Sequence, residues 1–176
     1  MAIRSCFVLC LCFWCFDAWA APRIAVLDFE LKDMTLAPGI PAEIERTASI
    51  KPLLEGELQS AGYSIVKIPL AAQHSADSGV GYLFDHADTA AVLAREFQAD
   101  YIVVGRLHKP SFLFAYLMVN LVRARDGQLL GHLIAESKGP NRALVIKAVE
   151  SLTVKIDGLL EQRYTPPPPQ HHILQP

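Results

Sequence analysis

Apolar residues along this chain fall into short unbroken runs and into stretches where they recur every three or four positions. The runs read as buried strands, and the periodic stretches as helices with one face against a core. "RIAVLDF", Arg23 to Phe29, is a first strand. Glu30 to Arg46 reads as a loop, because Pro38, Gly39 and Pro41 punctuate it. From about Ser49 to Ala61, the residues Ile50, Leu53, Leu54, Leu58 and Ala61 share one helical face, with Pro52 in the first turn and Gly62 as the stop. Tyr63 to Ile68 is a second strand closed by Pro69, and Ala71 to Gly81 is a polar, small-residue loop. Asp85 or Asp88 caps a second helix running to Gln98, with Val92, Leu93 and Phe97 inward. "DYIVVGRL", Asp100 to Leu107, is a third strand.

Strand, helix, strand, helix, strand marks parallel βαβ units. Only His108 to Ser111 then separate the third strand from "FLFAYLMVNLVRAR", Phe112 to Arg125, and so short a link forces the fourth strand to run antiparallel. Both of its faces are apolar, so both are covered. Asp126-Gly127 is a two-residue hairpin turn into a fifth strand, "QLLGHLIAES". Asn141 caps a last helix to about Tyr164, striped by Val145, Val149, Leu152, Ile156 and Leu159. The expected fold class is α/β: a five-stranded mixed sheet of order 2-1-3-4-5 with three helices, strands 1 to 3 parallel and strands 4 and 5 an antiparallel hairpin.

The ends of the chain change the picture. Arg4 precedes an almost wholly apolar run, Ser5 to Phe16, and Ala18-Trp19-Ala20 supplies small residues before a cleavage point. Residues 1–20 therefore read as a secretory signal peptide cut after Ala20, which places the protein in the periplasm. The run falls short of the ~20 residues of a membrane span. All four cysteines (Cys6, Cys10, Cys12, Cys15) lie inside it, so the mature chain is expected to have neither thiols nor disulfides. Residues 21–164 form one α/β domain, and 165–176, "TPPPPQHHILQP", an extended disordered tail. The net charge of −2 offers no basic field for nucleic acid.

Candidate chemistry is sparse. If strands 1 and 3 lie side by side, their carboxyl ends bring Asp28 and Glu30 toward Arg106, His108, Lys109 and Ser111, at the point where open α/β sheets bind ligands. Alternation would set Asp28 and Glu30 on one side of the sheet and Phe29 on the other. The same groups could equally be paired at a solvated rim. Tyr82, Leu83 and Phe84 form an apolar cluster in a loop, either folded onto the core or presented to a partner. Asn120 and His132 fit hydrogen bonding within the hairpin. The histidines lack the spacing of a zinc site, the serines lack a nucleophile elbow, and no glycine-rich phosphate cradle is present. No metal, cofactor or catalytic residue is expected.

"IAVLDFEL", "ADYIVVGRL" and "NLVRARDGQLLG" carry a resemblance. From Arg23 to about Leu160 the chain resembles a family of short secreted bacterial proteins of unknown function. These open with an AVxDFEL-like strand, carry an A-D-x-[IV]-x-x-G strand, and have a long hairpin strand ending in R-x-x-[DG]-G. More remotely it is similar to the N-terminal domain of the TolB translocation protein and the periplasmic domain of the curli secretion lipoprotein. Family members often carry two cysteines before the second helix, where this chain has "GVGYLFDHAD". The resemblance implies a non-catalytic, exported interaction module of the cell envelope, with an envelope or periplasmic protein as partner. The alternative is a periplasmic small-molecule-binding protein using the crevice beyond strands 1 and 3.

Overall fold

The computed structural model describes residues 21–138 and 141–161. The expected signal peptide, the expected tail and the end of the last helix beyond residue 161 lie outside the described residues. The elements are β1 (Arg23–Val26), β2 (Glu30–Asp33), α1 (Pro41–Ser60), β3 (Ser64–Val66), α2 (Leu70–Ala76), α3 (Tyr82–Asp85), α4 (Ala87–Glu96), β4 (Tyr101–Lys109), β5 (Phe114–Arg123), β6 (Leu129–Lys138) and α5 (Arg142–Leu159). The sheet runs β3-β1-β4-β5-β6. β1 is parallel to β3 and β4, and β4, β5 and β6 are successively antiparallel. This is the expected order, with the first and third predicted strands side by side and pointing the same way.

Period-two alternation divides the sheet between two cores. Ile24, Val26, Val103, Leu107, Leu117 and Leu121 pack with Ile50, Leu54 and Leu58 of α1 and with Val149, Leu152 and Ile156 of α5. Ala25, Leu27, Ile102, Val104 and Val122 pack on the opposite face with Leu83, Phe84, Ala90, Ala91 and Leu93 from α3 and α4. Among the described residues, no helix is long and apolar enough to cross a membrane.

Several boundaries move. The segment expected as a loop after the first strand holds β2, a sixth strand pairing parallel with β4, and the first turns of α1. Pro41 opens that helix at its first turn, where proline lacks nothing, so the residue read as loop punctuation is a helix start. Pro52 consequently lies mid-helix, and it and Ala48 are both exposed, so water can satisfy the carbonyl it leaves without a donor. The polar loop after β3 contains α2 and α3. Neither Asp85 nor Asp88 caps α4, whose N-cap is His86, and Val92 faces outward. Asn141 does cap α5, accepting from the Ala143 amide at 2.9 Å. The β5–β6 turn is wider than two residues: Arg123 N donates to Gln128 O, and Asp126 accepts from Gln128 N.

Candidate functional site

The chain gains one residue between β1 and β2. Val26 pairs with Val103, but Glu30 pairs with Arg106, so four steps on one strand match three on its neighbour. This bulge inverts the alternation. Leu27 belongs to the α3/α4 core, while Phe29 returns to the α1/α5 core that already holds Ile24 and Val26. At the bulge, Asp28 has no strand partner of its own. The side-chain amide of Gln73 on α2 replaces one: its Oε1 accepts from Asp28 N at 2.9 Å and its Nε2 donates to Asp28 O at 3.0 Å.

Asp28 and Glu30 therefore do not share a face. The Asp28 carboxylate turns to α1 and pairs with Lys51 at 2.7 Å. Glu30 turns to α3, where its Oε2 accepts from Arg106 Nε at 3.0 Å. Arg106 also lies 3.8 Å from Asp85 and 4.2 Å above the Phe84 ring. Gly81, at φ +80°, lets α3 begin against this pair, since a Cβ there would fall within 3.0 Å of the Arg106 guanidinium. Buried Asn120 donates to Phe84 O at 2.7 Å and its Oδ1 meets the ring of exposed His132 at 2.6 Å, so the two hydrogen-bond within the hairpin and only Asn120 serves the core.

The other predicted site residues separate further. Lys109 points to the opposite face from Arg106, where it is buried 2.9 Å from Glu43 and 4.0 Å from Asp33. Glu43 also pairs with Arg46, whose Nη2 donates to Ser137 Oγ at 2.7 Å. Burial alone would raise the Asp33 pKa. Amide donation from Thr35 and Gly39, with the Lys109 charge, overcomes this and holds it below the usual carboxylate value. His108 stays on the strand beside Lys32; burial first, then the charges of Lys32 and Arg106, lowers its pKa. Ser111 accepts from the amides of Leu113 and Phe114, closing the hairpin tip. Only Glu30 and Arg106 of the six make direct contact, and the bulge with the alternation along β4 is the cause. Among the described residues, no group of three or more His, Cys, Asp or Glu could hold a metal ion.

Tyr82, Leu83 and Phe84 do not form a contact patch. Leu83 and Phe84 are only 3% and 7% exposed in the α3/α4 core, and half-buried Tyr82 stacks on His86 at 3.9 Å. One turn of helix suffices to roll them inward.

The exposed apolar surface lies elsewhere. Met34, Leu36, Ile40 and Ile44 leave β2 and enter α1, and Phe112, Leu113 and Phe114 cap the β4–β5 hairpin, all 43% to 97% exposed. Met34 N donates to Lys109 O at 2.9 Å and ties the two segments together. Asp33, accepting from Thr35 and Gly39, shapes the first of them. The sequence carried this signal as four large apolar residues, Met34, Leu36, Ile40 and Ile44, in a stretch dense in proline and glycine, and as Phe112-Leu113 ahead of the strand.

Residues 22–153 match the family described as "Protein of unknown function (DUF2380)". No curated protein matches the sequence. Among solved structures, the hypothetical protein CT253 from Chlamydia trachomatis superposes with a TM-score of 0.53 at 12% identity, over 78% of this chain and 97% of that one. TolB from Acinetobacter baumannii gives 0.51 at 15% identity, over 81% of this chain and 29% of its own. The PelC dodecamer from Paraburkholderia phytofirmans gives 0.50 at 15% identity, over 79% and 86%. The chain thus shares its fold with CT253 and PelC and with a part of TolB.

Proposed function

We propose that this chain, which belongs to the DUF2380 family of proteins of unknown function, is a non-catalytic interaction module of the cell envelope. It is exported by the N-terminal segment, cleaved after Ala20, and works in the periplasm. The observation that carries the reading is the exposed apolar end formed by Met34, Leu36, Ile40, Ile44, Phe112, Leu113 and Phe114. Seven large apolar side chains exposed on two segments tied together at Met34 and Lys109 are an unusual surface unless something covers them. Buried ion pairs beneath it, Lys109 with Glu43 and Asp33, hold the two segments in one arrangement before any partner arrives.

The partner is a protein with an apolar surface of its own. An anionic membrane surface fits less well, because Glu45 is exposed beside Ile44 and the whole chain is net negative. The six-residue polar crevice does not compete, since its groups are divided between two faces of the sheet.

A photo-crosslinking residue placed at Leu36 and, separately, at Leu113 tests this in the native host. Both positions should trap the same periplasmic protein, and Met34→Glu with Phe112→Glu, introduced beside either probe, should abolish capture without changing the circular dichroism. Different adducts from the two sites, capture that survives the double substitution, or an adduct that is only a second copy of this chain would overturn the reading. N-terminal sequencing of the recovered protein should begin at Ala21.

A further inference from the structure

At the other end of β4 the surface has the opposite character. A cavity of about 580 Å³ is lined by Pro22, Gln98, Tyr101 and a ring of charged groups. Four of these are arginines (Arg23, Arg95, Arg123 and Arg125), against the carboxylates of Asp100 and Glu161. Four guanidinium groups around one concavity repel one another, and two acids do not balance them.

The arginines are also held in place by groups that leave charge to spare. Arg23 donates from Nη1 to Gln98 Oε1 at 3.5 Å and from Nη2 to Phe97 O at 3.4 Å. Arg95 donates to the main-chain carbonyl of Ala124. All these acceptors are neutral, and among the described residues neither guanidinium has a carboxylate within ion-pair distance. Arg123 and Arg125 share a single acid, Asp126, at 3.1 and 3.5 Å. The Asp100 carboxylate accepts from the Arg23 main-chain amide at 2.8 Å. The carboxyl end of α4, the amino ends of β1 and β4 and the end of β5 converge here, so the guanidinium groups stand on the termini of paired or packed elements.

We infer that this cavity is a binding site for an oxyanion, a carboxylate or phosphate group on a small ligand. Guanidinium forks match the planar pair of oxygens of such a group and keep their charge at any working pH. The volume lies within the range of small-molecule sites. The site is at the opposite end of the sheet from the apolar surface and stands independently of the function proposed there.

Titration of the purified chain with inorganic phosphate, and separately with citrate, tests it, with sodium chloride holding ionic strength constant. Amide NMR signals of Arg23, Asp100, Ala124 and Arg125 should shift saturably with at least one of the two. Whichever saturates more tightly assigns the group as phosphate or carboxylate. Arg95→Gln and Arg125→Gln should each weaken binding about tenfold. The Arg125 side chain is 75% exposed, and among the described residues its ion-pair partner is Asp126, so its loss leaves the fold intact. Shifts that fail to saturate with either anion, that spread over the surface, or that persist unchanged in both variants would overturn the assignment.

Discussion

Gly105→Ala should destabilise the protein, although on backbone grounds it ought to do the reverse. Gly105 lies inside β4 with no positive φ, so alanine fits the backbone and would, in open space, stabilise by about 0.4–1 kcal/mol through the unfolded chain. The space is not open. A Cβ at this position would lie within 3.0 Å of Cζ, Cε1 and Cε2 of Phe29, a ring that is 8% exposed in the α1/α5 core. To reach ordinary carbon–carbon separation the ring must retreat by about 1 Å. It has nowhere free to go, since interiors pack like crystals.

Overpacking of this kind costs about 1–3 kcal/mol, which for a chain of this size lowers Tm by roughly 4–8 °C at a net loss of about 2 kcal/mol. Urea and thermal denaturation followed by far-UV circular dichroism would read it. Phe29→Leu alone should cost about 1 kcal/mol. The double variant should recover about 1 kcal/mol or more relative to the sum of the singles, because leucine vacates the space alanine needs. If Gly105→Ala is neutral or stabilising, or the two losses simply add, the ring does not rest on the glycine and the packing argument fails.

Other consequences follow from the same geometry. Gln73→Ala should cost about 1–3 kcal/mol by leaving both main-chain groups of Asp28 unpaired, and Gln73→Glu should fail to rescue it because a carboxylate cannot donate; urea midpoints would show this. Lys109→Met removes a buried cation from Glu43, which keeps Arg46, and from Asp33, which keeps its amide donors, and should cost about 1.5–3 kcal/mol, whereas Lys51→Met breaks a pair whose Asp28 side is 40% exposed and should cost no more than about 1 kcal/mol. The folded-state pKa of Asp33 is depressed, so its contribution is present above the ordinary carboxylate value of 3.8 and is lost as pH falls below it; Asp33→Asn should flatten the acid limb of the urea midpoint against pH. His108 also has a depressed pKa, so the unfolded chain takes up the proton first and stability falls as pH drops through 6.5. Its NMR titration midpoint should lie below 6.5 and rise in Lys32→Ala.

Strand order was legible because it depends on long signals: five apolar runs, a link too short for a crossover, and the handedness of βαβ units. The helix stop at Gly62 and the Asn141 cap were legible because each is a local rule with one physical solution. What failed were places where proline and glycine have two meanings. Pro41 can punctuate a loop or open a helix, and only packing of Ile50 and Leu54 against the sheet decides it. For Tyr82, Leu83 and Phe84 the choice between core and contact patch stayed open, because a four-residue helix leaves no periodicity to read. The arginine cavity assembles residues from positions 23 to 125, separations over which sequence alone carries no signal.

The bulge explains why the acidic motif looked like a site and is instead a junction. An uninterrupted strand would have kept Asp28 and Glu30 together on the face of Val26 and Val103, turned away from Arg106. One extra residue leaves Asp28 on the α1 side with Lys51 and turns Glu30 to the α3 side, where it pairs with Arg106 of β4. The same step turns Phe29 back over Gly105, which joins the two sequence motifs through a steric fit. Asp, Phe and Glu in that order are what a strand needs when it must change faces without leaving the sheet. Two carboxylates committed to Lys51 and Arg106 have little left for a ligand, and the two surfaces proposed for binding stand at the ends of β4 instead: apolar side chains beyond Lys109, guanidinium groups around Tyr101.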